Sequence, residues 1–162
     1  MRDDPSTQGL WARVCSLHNL TLAWSRVKEN EGSPGVDRVT IAEFERDLEE
    51  NISALSLSLE QGDYSPLPVL RAYIDKENGS QRPIGIPAVK DRIVQQALLS
   101  VLTPIIDREF LDCSFAYRPR RSALDAIHLV EALLREGCKW VLDADHRALL
   151  RHYRSRPSHP IP

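Results

Sequence analysis

Arg82–Gln96 reads RPIGIPAVKDRIVQQ, and the fold is decided there. Pro83 and Pro87 hold the segment extended, and Gly85 lets the backbone pass close to a neighbour. Beyond Val89 the apolar period changes, and VKDRIVQQALLSVLTPII predicts an amphipathic helix to about Ile106. Its core face would carry Ile93, Val94, Ala97, Leu98, Val101, Leu102 and Ile105, with Lys90 and Arg92 elsewhere on the wheel. Pro104 marks its last turn. An extended basic segment that feeds straight into a long helix suits a surface meeting a phosphate-rich ligand.

Immediately upstream, PLPVLRAYIDK alternates as a strand does, and Asn78-Gly79 is a strong short hairpin signal. The chain is expected to turn there, placing Lys76 near the tip of a two-stranded finger and Arg82 on its return strand. Further back, Leu10–Glu29 has helical apolar spacing until EGSPGVD breaks it. Thr40 and Glu43 form a capping-box pattern that starts a helix through Phe44, Leu48, Ile52, Leu55 and Leu59, acidic face outward.

Downstream of the long helix, DREFLDCSFAYRPRRS reads as a basic, aromatic-bearing loop. Ser122 and Asp125 look like the cap of a helix Ser122–Glu136, packing through Ala123, Ala126, Ile127, Val130, Leu133 and Leu134 and closed by Gly137. CKWVLDAD then predicts a short apolar strand, Lys139 to Asp145, ending in Asp143 and Asp145. After it the pattern is lost: HRALLRHYRSRPSHPIP has no acid and no amphipathic period, and reads as a disordered tail.

The whole chain is 162 residues with a formal net charge of -2, enough for one modest core. The charge is unevenly spread. Ten acids face two arginines between Glu29 and Asp63, whereas seven bases face four acids between Arg82 and Arg121. That contrast is compatible with nucleic acid and also with ordinary solvated faces. Cys15, Cys113 and Cys138 are odd in number and lack His partners at metal-ligand spacing, so three reduced thiols are expected. No apolar run approaches a membrane span, and the N-terminus lacks a signal-peptide pattern, so the expected location is the cytoplasm.

The order of four motifs resembles the reverse transcriptases encoded by group II introns, the maturase-type proteins. They are GVDRVT at Gly35–Thr40, RPIGIPAVKDRIVQQALLSVLTPIID at Arg82–Asp107, FAYRPRRSALDAI at Phe115–Ile127 and WVLDAD at Trp140–Asp145. The resemblance implies an α+β piece of a right-hand polymerase: a helical N-terminal extension over 1–63, fingers and the first palm strand over 64–145, and an aberrant tail over 146–162. It implies RNA-directed DNA polymerase chemistry, with template or intron RNA and deoxynucleotides as partners and Mg2+ as cofactor. Asp145 matches the first metal-binding aspartate, from which divalent ions activate the primer hydroxyl and stabilise the leaving pyrophosphate. Asp143 is not a ligand by the same analogy. Read without the resemblance, the pair simply ends a strand in a polar turn.

Arg82 matches the fingers arginine over the incoming nucleotide, where a planar fork suits phosphate. Lys76 is a second phosphate partner. Arg92, Arg118 and Arg121 would contact template or backbone, or else serve as surface cations or internal partners. Ala116 and Arg120 stand where the family usually has glycines. The larger departure follows Asp145, where the family continues with Ile, two variable residues and Phe-Phe-Asp. A single-nucleotide shift of suitable codons for His146–Arg154 restores that pattern, so a frameshift is expected just after Asp145. The later Tyr-x-Asp-Asp carboxylates are absent from these residues. The expectation is therefore a truncated polymerase piece, inactive alone and of marginal stability. The alternative is a surviving RNA-binding module without catalysis.

Overall fold

The computed structural model describes residues 5–75 and 79–142; Lys76, Asp143, Asp145 and the tail lie outside them. The chain divides into two compact units, Met1–Phe110 and Leu111–Pro162. The first unit holds a helical core. The expected long helix before residue 30 is two helices, α1 (Pro5–Cys15) and α2 (Leu17–Glu29). Ser16 divides them by leaving helical geometry and accepting a hydrogen bond from the Asn19 N–H at 3.3 Å, the competition that serine brings to helix ends. The next expected helix is also two, α3 (Ile41–Arg46) and α4 (Leu48–Gln61). At that break the Asn51 side-chain amide donates to the Phe44 carbonyl at 3.0 Å, which satisfies one of the acceptors freed where α3 ends. The Thr40–Glu43 capping box forms as expected. Its hydrogen bonds hold the Glu43 carboxyl below its ordinary value.

The central helix α5 (Val89–Ile106) packs against α1 and α2, and α4 packs against the same two helices. Val89 and Ile93 of α5 are fully buried with Leu20 and Cys15, and Trp24 stacks on Phe44 with ring centroids 5.2 Å apart. Asn19 ties α2 to α5 through the Ala97 carbonyl (3.1 Å) and the Ser100 hydroxyl (2.7 Å). Burial along α5 runs from Val89 to Val101. Leu102 and Ile105, expected in the core, are exposed. The N-terminal helices and α5 share one core, so the boundary expected near residue 63 falls inside this unit.

Between α4 and α5 stands an antiparallel hairpin, β1 (Leu70–Asp75) and β2 (Gln81–Ile86), paired from Leu70↔Ile86 to Asp75↔Gln81. Gly79 lies at φ +75°, the left-handed conformation that glycine allows. The close approach expected at Gly85 is made by a side chain: a Cβ there would meet Val69 Cγ2 at 2.9 Å.

The segment leading into the hairpin is fixed by Asp91 on α5, only 3% exposed, which accepts from the Tyr64 hydroxyl and from the Leu67 N–H at 3.1 Å. Burial and this carboxylate push the Tyr64 phenol above its ordinary value.

In the second unit, α6 (Ala123–Arg135) forms with the expected Ser122–Asp125 capping box. Two expectations fail there. None of its residues is buried, so Ile127, Val130, Leu133 and Leu134 face solvent and not a core. Residues 139–142 form no strand, and Trp140, Val141 and Leu142 are almost fully exposed. A strand needs a neighbour to take its backbone groups, and the described residues of this unit include no other strand.

Removing the Tyr64 hydroxyl (Tyr64→Phe) deprives a buried carboxylate of one donor. The expected loss is about 1.5–3 kcal/mol, the scale of hydrogen bonds to charged groups, read as a lower urea midpoint with unchanged slope.

Candidate nucleic-acid interface

The cations predicted from sequence fall into two groups. Arg82 pairs with Ile74 across the hairpin. It is exposed, and its side chain makes no hydrogen bond or ion pair among the described residues. In an antiparallel pair, side chains opposite one another share a face and alternate along the strand. Arg82 therefore lies on the face of Leu70, Ala72, Ile74, Ile84 and Ile86, while Arg71, Tyr73 and Pro83 occupy the other. Arg71 and Tyr73 are exposed as well. The sequence reading missed Arg71; its odd register against Arg82 was the available signal. Lys76 lies outside the described residues.

Arg92, Arg118 and Arg121 are instead engaged within their own units. The Arg92 fork donates from Nη2 to the Ser33 carbonyl at 2.9 Å. Burial lowers its proton affinity, an effect partly offset by Asp37. Arg118 donates from Nη1 to the carbonyls of Leu111 (2.8 Å) and Ser114 (3.0 Å) and so braces its own loop. Arg121 pairs with Asp112 at 3.3 Å and stacks over the Phe115 ring, 5.6 Å from its centroid. Each of these three side chains has a partner within its own unit.

The loop around them is strained. Tyr117 (φ 58°) and Arg120 (φ 60°) both adopt the left-handed conformation, which disfavours any side chain with a Cβ. Both residues are exposed, so the left-handed turn points an aromatic ring and a cation outward. Ser122 holds the Asp125 carboxyl below its ordinary value through side-chain and backbone hydrogen bonds.

Asp145, the expected metal ligand, lies outside the described residues. Among those residues no three His, Cys, Asp or Glu side chains converge to hold a metal ion. Cys15, Cys113 and Cys138 are free. No described helix is long and apolar enough to cross a membrane.

No family model matches the chain. Individual relatives do. It is 39% identical over 140 residues to protein YkfC of Escherichia coli strain K12, covering 78% of this chain and 36% of that protein. It is 38% identical over 100 residues to the group II intron-encoded protein LtrA of Lactococcus lactis subsp. cremoris, covering 60% of this chain and 16% of that protein. A 91 kDa protein in the cob intron of Schizosaccharomyces pombe is 30% identical over 129 residues, 78% of this chain and 16% of its own length. The chain is related to the group II intron-encoded proteins. It spans well under half the length of these relatives.

Arg120→Gly is expected to relieve about 1 kcal/mol of backbone strain. Amide exchange over residues 118–125 should slow by roughly fivefold, as that energy implies, with no change in the first unit.

Proposed function

We propose that this chain is the fingers region of a group II intron-type RNA-directed DNA polymerase, gripping RNA without catalysing synthesis on its own. The observation that carries the reading is the exposed guanidinium of Arg82, without a partner among the described residues, on an exposed hairpin, within a chain related to intron-encoded proteins. Arg82 supplies a planar fork for nucleotide or backbone phosphate. Lys76, six residues before Arg82 in the sequence, would add a second charge. Arg71 and Tyr73, on the opposite face, give the same hairpin a cation and a ring for stacking.

Mg2+, when bound to an intact palm, would supply charge at the transferring phosphate. Asp145 is the one residue of this sequence matched to such a site, and one carboxylate does not hold two ions in register. The polypeptide of these 162 residues is therefore expected to bind RNA and not to extend a primer. The acidic faces of α3 and α4 direct binding toward the hairpin, because phosphate avoids them.

Two measurements test the reading. RNA affinity should fall with salt between about 50 and 200 mM, and Arg82→Ala should lower the log–log slope by about one. An affinity that ignores salt, or none at all, contradicts it. In a primer-extension assay with Mg2+, no incorporation is expected; clear incorporation by this polypeptide alone would overturn the inactive assignment.

A further inference from the structure

Gly32 and Gly35 sit in a loop pressed onto the start of α5. A Cβ on Gly32 would lie 2.1 Å from Arg92 Nη1. A Cβ on buried Gly35 would lie 2.6 Å from the Ala88 backbone and 2.9 Å from the Pro87 carbonyl carbon. Those two residues form the junction through which β2 runs into α5. The loop is folded on itself as well: the Arg38 N–H donates to the Gly35 carbonyl at 3.1 Å, and Glu31 and Arg38 hold left-handed backbones at φ 43° and 60°. A loop with that much strain stays in place only if its surroundings hold it.

We propose that Arg92 is a positioning residue: its guanidinium fixes loop 31–38 against the β2–α5 junction, so that loop and hairpin present one fixed RNA-facing surface. The fork fills the space that Gly32 leaves open, while Gly35 lets the loop backbone lie directly on the Pro87–Ala88 junction. Nη2 bonds the Ser33 carbonyl, Nη1 lies against Gly32, and Asp37 of the same loop supplies the opposing charge. Arg92 Nε is buried without a hydrogen-bond partner among the described residues. An arginine that binds phosphate keeps its donors in water, whereas Arg92 buries Nε and spends Nη2 on the Ser33 carbonyl. Lysine cannot replace it, because one ammonium does not fill the space of a planar fork. The geometry stands alone; its consequence for RNA rests on the function proposed above.

The test compares Arg92→Lys, Arg92→Ala and Gly35→Ala, each at a temperature where helix content equals that of the unaltered protein. Amide exchange in residues 31–38 should accelerate by about tenfold or more in all three, with core amides of α2 and α4 unchanged. Wild-type exchange in that loop in both Arg92 variants overturns the proposal, whether or not the chain binds RNA. Affinity for structured RNA should fall by roughly three- to tenfold in all three variants while the salt slope keeps its wild-type value. If Arg92→Ala instead lowers the slope by about one and Arg92→Lys restores affinity, Arg92 touches phosphate directly and the proposal fails. If affinity is unchanged in folded variants, the clamp is structural only and the RNA consequence is wrong. Failure of the unaltered protein to bind RNA would sink the functional reading and leave the exchange result to judge the clamp.

Discussion

The first unit depends on the burial of the first turns of α5. Val89 and Ile93 are removed from water entirely, and a buried Leu or Ile side chain is worth about 1.5–3 kcal/mol each. That burial fixes the helix against α1 and α2, and everything with a chemical role is then hung from its N-terminal end. Asp91 reaches back to the segment entering the hairpin, and Arg92 reaches across to the glycine loop. Adjacent residues on one helix turn thus hold two separate loops. The hairpin itself buries none of its residues and is placed by these attachments, not by packing of its own faces.

The contrast between the two units follows from the same physics. Both carry amphipathic helices with good caps, yet only the first brings apolar faces together. Caps decide where a helix begins; they do not supply a partner for its apolar stripe. In α6 the capping box is complete and the stripe faces solvent. The relatives extend far beyond the region matched here.

Much of the fold was legible in the sequence because it is written in local chemistry. Asn78-Gly79 between alternating runs, Thr40 with Glu43, Ser122 with Asp125 and Pro104 near a helix end all act within a few residues of themselves. The breaks at Ser16 and Asp47 were not legible, since apolar spacing continues through both and side-chain hydrogen bonds to the backbone accompany the breaks. The candidate site was legible in part. Charge and motif order point to Arg82, whose side chain has no partner among the described residues. They do not separate it from Arg92, Arg118 and Arg121, because the carbonyls and carboxylate that occupy those three belong to the folded loops around them. Arg71 went unseen for a similar reason: strand register, and not composition, places it on the hairpin.

The most direct measurement is hydrogen-exchange footprinting of the chain with and without structured RNA. The account predicts slowed exchange over Leu70–Ile86 and over loop 31–38, with α4 unaffected. Slowing over the acidic helix α4 with an unchanged hairpin would contradict it.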